Sequence, residues 1–206
     1  MELLHELMIA DVSDNEQAQE TINCIRNLFV GYSPNADDAK IRGRIMTPGA
    51  HIDIFRDGDI CAAFAVCVPI CLASGETCLF RHGTIVSENY RSRGLYTKLL
   101  EIGLTRHQPD WHATRTQNPR VYETWRNFHG QKLRPSPDVS IPGEYLVVAH
   151  QVVRGAPFNP ETFVVRDVYH KDRTGASYHI CRNPDIRAMF EKELGVHDAF
   201  ILLARL

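Results

Sequence analysis

Apolar residues recur along this chain with two different spacings, and each spacing predicts a different kind of element. Short runs rich in β-branched, aromatic and small apolar residues predict β-strands. The clearest of these runs occupy residues 51–56, 60–68, 78–86 and 111–116. Asp57 and Gly58 separate the first two runs, and an Asp-Gly pair in this position is typical of a tight hairpin turn. The centre of the chain therefore predicts an antiparallel meander.

Helical spacing of apolar residues predicts helices before and after this meander in the sequence. The predicted helices cover residues 22–29, 36–46, 94–107, 119–129, 144–154 and 185–194. The helix at 94–107 connects two predicted strands, and a strand–helix–strand unit gives a parallel pair with a right-handed connection. Further strands are predicted at 4–9, 162–169 and 198–206. The pattern thus predicts a single α/β domain of the α+β type over residues 1–206.

Composition and charge narrow the class of protein. A chain of 206 residues with 44% hydrophobic and 23% charged residues is typical of one globular domain. The formal net charge of −2 gives no general attraction to nucleic acid or to an anionic membrane, so we expect neither as a partner. The start of the chain lacks a signal-peptide pattern, and the cysteines show no paired C-x-x-C spacing. We therefore expect a cytoplasmic protein with reduced thiols and, since histidines and cysteines are dispersed, no metal.

The stretch that follows the 78–86 strand has the layout of an anion site. A polar turn leads through Arg91 and Arg93 to Gly94, where a helical pattern begins. The first turn of a helix carries backbone N–H groups without intrahelical partners, at the positive end of the helix dipole. Glycine lets a ligand approach the backbone closely, and arginines add charged donors. A phosphate group suits this place, although a merely solvated loop is the alternative interpretation.

The same stretch carries a family resemblance. Val86, then Arg91-Ser92-Arg93-Gly94-Leu95-Tyr96, resembles the acyl-CoA signature Gln/Arg-x-x-Gly-x-Gly/Ala of the GNAT superfamily of N-acetyltransferases. Tyr96 stands where a small residue is commoner. The resemblance implies a mixed, mostly antiparallel sheet, a central parallel strand pair splayed to hold acyl-CoA, and helices on both faces. The C-terminal third is extended, with residues 131–196 as insertions atypical of the family.

The resemblance also implies acetyl-CoA as the co-substrate and a set of residues that contact it. These predicted cofactor-binding residues are Ile85, Val86, Arg91, Ser92, Arg93, Gly94, Leu95, Tyr96 and Asn118.

Acetyl transfer to an amine needs a base, because an alkylamine of pKa about 10.4 is protonated at pH 7 and its deprotonation costs about 4 to 5 kcal/mol. Our candidate base is His82, since a histidine titrates near neutral pH. Glu88 is the runner-up base, and a structural role is the alternative for both. Tyr122 is the candidate acid for the departing thiolate or, alternatively, a packing aromatic; the position usual for the family's tyrosine holds Trp125.

These features predict an N-acetyltransferase that moves an acetyl group from acetyl-CoA to a primary amine of a small molecule or peptide, by direct attack in a ternary complex. The alternative is a non-catalytic GNAT-like module that binds acyl-CoA or a peptide. Trp125, and Phe80 where related enzymes carry a second relay histidine, keep this alternative open. Tyr32 and the pair Asp37-Asp38 are candidate acceptor contacts or else solvated surface. A homodimer is also left open.

Overall fold

The computed structural model describes residues 4–9, 16–32, 42–43, 45, 47–137, 139–168 and 181–206. The chain divides into two compact units. Unit 1 comprises Met1–Pro69 and Leu79–Gln108, and unit 2 comprises Ile70–Cys78 and Pro109–Leu206. No helix in the described ranges is long and apolar enough to cross a membrane.

Unit 1 contains the predicted meander and the two helices around it. Its elements are strands β1 (Leu4–Ile9), β2 (His51–Asp57), β3 (Ile60–Cys71) and β4 (Thr77–Val86), and helices α1 (Glu16–Tyr32) and α2 (Leu95–His107). The spatial order is β1-β2-β3-β4, and β1–β2 and β2–β3 are antiparallel. Gly58 turns the β2–β3 hairpin with φ 57, a backbone conformation that glycine adopts without strain.

Two contacts hold α2 against this part of the sheet. A cluster of buried residues joins the helix to β2 and β3: Phe55, Ala62, Ala63, Ala65, Tyr90, Leu95 and Leu99. Beside it, Arg106 makes a bidentate ion pair with the fully buried Asp53, at 2.7 and 2.8 Å. Because removing one partner of a buried pair leaves an uncompensated charge, this pair fixes where the helix lies along β2. Packing therefore holds the first turns of the helix, and the ion pair holds its last turn.

Unit 2 is built around the last strand of the chain. Its strands are β5 (Trp111–Thr116), β6 (Leu133–Arg134), β7 (Phe158–Asn159), β8 (Val164–Val165) and β9 (Ala199–Arg205), and its helices are α3 (Pro119–His129), α4 (Gly143–Val153) and α5 (Pro184–Glu193). The order is β5-β9-β8-β7, with β6 also paired to β9, and all these pairs are antiparallel. Every residue of β9 before Arg205 is buried, which explains its continuous apolar run.

The predicted fold class is confirmed: the sheet is mixed and mostly antiparallel, with one parallel pair among the described strands, and helices accompany it. The splaying of that pair stays a prediction. The strand predicted at 162–169 is wrong in its extent, because among the described residues 162–168 only Val164–Val165 forms a strand. The Asn159 side chain accepts bonds from the backbone N–H groups of Glu161 and Thr162, which makes a turn, and Phe163 has φ 62. The helix predicted at 36–46 lies largely outside the described residues.

Candidate functional site

The loop before α2 has the backbone geometry of a helix start without a cap. Gly94 is the N-cap residue, with φ 75 and ψ 5, and Ser92 also has a positive φ of 63. No described side chain caps this helix, and its first turn holds no acidic residue. The Gly94 carbonyl accepts the bond from the Lys98 N–H at 3.0 Å, so the three amides from Leu95 to Thr97 precede the intrahelical ladder. The positive end of the helix dipole is therefore uncompensated by its own first turn.

Gly94 also leaves space at this helix start. A Cβ atom added at Gly94 would meet no heavy atom within 4 Å. The residue is therefore not required for close packing within the described chain; its left-handed φ is what favours glycine. Open space, a glycine backbone and uncapped amides are together what a pyrophosphate group needs, so these residues fit an acyl-CoA ligand.

The two arginines of the loop are held by local contacts. Arg91 pairs with Glu88 at 3.2 Å, and both side chains are largely exposed. The Arg93 guanidinium donates to the Asn89 carbonyl at 3.1 Å and lies 4.9 Å from the centroid of the Tyr90 ring. These contacts keep both positive charges on the loop itself.

The ring under Arg93 is anchored in turn. The Tyr90 hydroxyl donates to the carboxylate of Asp57, and this hydrogen bond raises the pKa of the Tyr90 phenol. The loop is thus tied to the β2–β3 hairpin of the same unit.

A cavity in unit 1 brings three of the predicted residues together at the end of β4. Ile85 is buried and Val86 half-buried, and both line a cavity of about 440 Å³ together with Arg91. The remaining lining residues come from α1, the start of β3 and the turn after β4: Cys24, Asn27, Leu28, Asp59, Ile60, Cys61, Ser87 and Glu88. The end of β4 and the arginine loop therefore share one concave surface.

His82 lies half-buried on β4, with its Nδ1 atom 3.3 Å from the Thr47 hydroxyl oxygen. Thr47 donates its own hydroxyl proton to the Gly43 carbonyl at 3.1 Å. With the hydroxyl proton directed to Gly43, the contact with His82 is made by a ring proton on Nδ1, and in that tautomer the neutral imidazole carries its lone pair on Nε2. A histidine held in this tautomer can accept a proton at Nε2.

The two site residues predicted in unit 2, Asn118 and Tyr122, both make hydrogen bonds within that unit. The Asn118 side chain accepts a bond from the Arg120 N–H at 2.9 Å and thereby caps α3. Tyr122 is fully buried, and its hydroxyl donates to the Pro135 carbonyl at 2.8 Å. Trp125 is also fully buried and packs on the His112 ring, with centroids 4.3 Å apart. The cofactor role of Asn118 and the acid role of Tyr122 stay predictions.

No protein-family model and no curated protein matches this chain, whereas solved structures do. The IAA acetyltransferase from Bacillus cereus is 10% identical, with a TM-score of 0.54 and all of both chains covered. The NatC complex bound to Gag peptide and CoA gives 15% identity and a TM-score of 0.54, covering 100% of this chain and 99% of that chain. Arabidopsis thaliana Naa50, in complex with the bisubstrate analogue CoA-Ac-MVNAL, is 11% identical with a TM-score of 0.53. The match covers 98% of this chain and 99% of that chain. The chain has the GNAT fold. At these identities the likeness establishes the fold alone.

Two residues near the candidate site, Thr47 and Arg81, were not identified from the sequence pattern. Thr47, which orients His82, lies 35 residues before it in the chain, and no local pattern connects them. Arg81 is a charged residue that is only 2% exposed, in the middle of β4. A charged residue inside an apolar strand was the signal that could have identified Arg81. Asp37, Asp38 and the side chain of Tyr32 lie outside the described residues.

Proposed function

We propose that this protein is an acyl-CoA-dependent N-acetyltransferase, which moves an acetyl group from acetyl-CoA to a primary amine of a small molecule or peptide. The observation that carries the proposal is the uncapped start of α2, with Gly94 in a left-handed conformation between Arg93 and Leu95. The first amides of a helix without a side-chain cap are available to water or to an anion, and the helix dipole favours an anion there. A diphosphate supplies that anion.

The solved structures that share the fold support the donor and the acceptor class. NatC is bound to CoA and a peptide, and Naa50 is bound to an analogue that joins CoA to a peptide. The Bacillus cereus protein is an acetyltransferase named for IAA. An acyl-CoA donor with a small-molecule or peptide acceptor is therefore the proposal that agrees with all three.

In the proposed mechanism, unit 1 holds and polarises the donor. The first-turn amides of α2, Arg91 and Arg93 bind the phosphate groups of acetyl-CoA. Backbone N–H groups near Ile85 and Val86, at the end of β4, donate to the thioester carbonyl oxygen as negative charge develops on it. This positioning converts acetyl transfer into a reaction within one ternary complex.

The acceptor is activated by removal of one proton. In the proposal, Nε2 of His82 takes a proton from the ammonium group, which offsets part of the deprotonation cost of about 4 to 5 kcal/mol. The neutral amine then attacks the thioester carbon and forms the carbon–nitrogen bond, the carbon–sulfur bond breaks, and the CoA thiolate leaves with the electron pair. The extra proton that remains on the new amide nitrogen passes to solvent water. Tyr122 is the proposed donor of a proton to that thiolate.

A second candidate function is a GNAT-like module that binds acyl-CoA or a peptide without turnover. One observation favours it: the Tyr122 hydroxyl is buried and donates to the Pro135 carbonyl, whereas an acid must reach the leaving group.

Two measurements separate the candidates. Calorimetry with CoA tests binding, and release of free thiol from acetyl-CoA with a panel of primary amines tests turnover. We expect CoA to bind and at least one amine to be acetylated, with the product verified by mass spectrometry. CoA binding without consumption of any amine would support the binding module, and absence of CoA binding would remove the acetyltransferase and the acyl-CoA-binding form of the module.

A further inference from the structure

Arg81 connects the strand and the helix that form the candidate site. Its side chain is buried in β4, and its Nε donates to the Thr84 hydroxyl. The guanidinium carbon lies 5.1 Å from the centroid of the Tyr96 ring. Tyr96 is the second residue of α2, so this cation–π contact joins β4 directly to the first turn of the helix.

The contact between Arg81 and Tyr96 gives the large Tyr96 ring a place to pack at the start of α2. Tyr96 occupies the position where the acyl-CoA signature commonly has a small residue. A large ring at a helix start requires a place to pack, and here the ring lies against the buried Arg81 while the residue stays half-buried. A ring packed on the strand is held in one orientation.

We infer that Arg81 is a positioning residue for the phosphate groups of acyl-CoA, acting through Tyr96 on the first turn of α2. The inference rests on the proposed function, because it concerns the same site. Arg81 precedes Ile85 and Val86 by only a few residues on one strand, so the contact with Tyr96 sets the distance between the two halves of that site.

The charge of Arg81 contributes as well as its shape. A buried charge is screened far less by salt than an exposed one such as that of Arg91. The positive end of the α2 dipole lies in the same turn as Tyr96. Arg81 therefore adds to the positive potential that a diphosphate meets at this helix start.

The test compares a ligand that carries phosphates with one that does not. We expect Arg81→Met, which keeps the length of the side chain and removes the charge, to raise the Kd for CoA about tenfold in calorimetry. Pantetheine lacks the phosphates, and its Kd, followed by NMR titration, should change less than about twofold. Arg81→Lys keeps the charge but not the flat guanidinium, so we expect an intermediate loss for CoA of about threefold.

Tyr96→Ala tests whether Arg81 acts through the ring. If it does, the double variant Arg81→Met/Tyr96→Ala should bind CoA no more weakly than the weaker of the two single variants. Additive losses would overturn the coupling.

Arg205→Met is the matched control. Arg205 also lies over an aromatic ring, 5.4 Å from the centroid of Trp111, but in unit 2. Its loss should lower the melting temperature and leave the Kd for CoA unchanged.

The outcomes separate this inference from the proposed function. A wild-type protein that does not bind CoA overturns both. If the wild type binds CoA, equal affinity in Arg81→Met, or an equal loss of CoA and pantetheine binding, overturns the inference alone. If Arg81→Met does not fold, Arg81→Lys carries the test: wild-type affinity for CoA would then overturn the positioning role, and the threefold loss would support it.

Discussion

The helices of the two units begin in different ways. In unit 2, α3 is capped by the Asn118 side chain, α5 is capped by Asn183, and α4 carries Glu144 in its first turn. In unit 1, α2 has neither a side-chain cap among the described residues nor an acidic residue in its first turn. A side-chain cap stabilises a helix by about 0.5 to 2 kcal/mol. Two of the three helix starts of unit 2 are therefore capped by the protein's own side chains, whereas α4 and α2 begin without a side-chain cap among the described residues, and α2 also lacks an acidic residue in its first turn.

The histidines of the two units can be compared in the same way. In unit 2, His112 and His129 are both buried, and their rings approach to 3.1 Å between Nδ1 of the first and Nε2 of the second. In unit 1, His82 is half-buried at the candidate site. Paired histidines occur in both units, since Nδ1 of His51 and Nε2 of His107 in unit 1 also approach to 2.9 Å, whereas His82 contacts the Thr47 hydroxyl. Each prediction below tests one side of this contrast.

The largest effect is expected at Gly94. Gly94→Val places a β-branched residue at φ 75, where any L residue is strained, and adds side-chain atoms where the diphosphate would lie. We expect CoA binding to fall below detection in calorimetry, a loss of more than about 100-fold.

Gly58→Val is the matched control for Gly94→Val. Gly58 also has a positive φ, 57, and open space around its Cβ position, but it lies in the β2–β3 turn. Both variants should lose about 1 to 2 kcal/mol of unfolding free energy from strain. Only Gly94→Val should lose CoA, and equal affinity in the two variants would remove this helix start from the site.

The next effect concerns the buried histidines of unit 2. Burial, and then the charge of Lys132, lowers the pKa of His129 from 6.5 to about 4. In the unfolded chain His129 binds a proton near pH 6.5, so between about pH 7 and pH 4 the unfolded state takes up more protons than the folded state. The contribution of neutral His129 to the unfolding free energy is therefore fully present above the unfolded pKa of 6.5. It is lost as the pH falls towards the folded pKa of about 4, and the total loss is about 3 kcal/mol.

Urea unfolding at a series of pH values measures this contribution. His129→Gln keeps a polar side chain beside His112 and cannot titrate, so its unfolding free energy should depend less on pH by that amount. Parallel pH curves for the wild type and the variant would show that His129 is not buried in its neutral form.

The next effect is expected at His82 in unit 1. His82→Ala removes the proposed base, and we expect kcat/KM at neutral pH to fall on the order of 100-fold. The rise of kcat/KM with pH should shift towards alkaline values or disappear, because the free amine must then form without help.

Three further variants sharpen the His82 test. Thr47→Val removes the hydroxyl that orients the ring and should give a smaller loss of kcat/KM. His51→Ala removes a half-buried histidine on β2 and should leave the pH profile as it is. If instead Glu88→Gln abolishes the pH dependence and His82→Ala does not, Glu88 is the base.

Local sequence patterns were sufficient to predict much of the secondary structure of unit 1. The Asp57-Gly58 turn, the strands beside it and the loop at Gly94 depend on residues that are neighbours in the sequence. For this reason the hairpin and a helix start at Gly94 could be predicted from the sequence, whereas the left-handed conformation of Gly94 was not predicted.

Contacts between distant residues were not predictable in the same way. Strand periodicity places Arg81 on one face of β4, but it does not show that Tyr96 covers it. The strand predicted at 162–169 begins later than expected, because the Asn159 side chain accepts a hydrogen bond from the Thr162 amide, which the pattern assigned to a sheet. Apolar spacing describes which residues prefer burial, whereas side-chain hydrogen bonds to the backbone decide where a strand ends.

The smallest expected effect decides the role of Tyr122. Its buried hydroxyl donates to the Pro135 carbonyl at 2.8 Å, and in the same unit the buried Tyr145 donates to the Lys132 carbonyl at 2.8 Å. If Tyr122 only packs, Tyr122→Phe and Tyr145→Phe should behave alike, each losing about 1 kcal/mol of unfolding free energy, with kcat within about twofold of wild type. That is the result we expect from these contacts. A fall in kcat confined to Tyr122→Phe would instead make it the acid, and unit 2 would then contribute a reacting group.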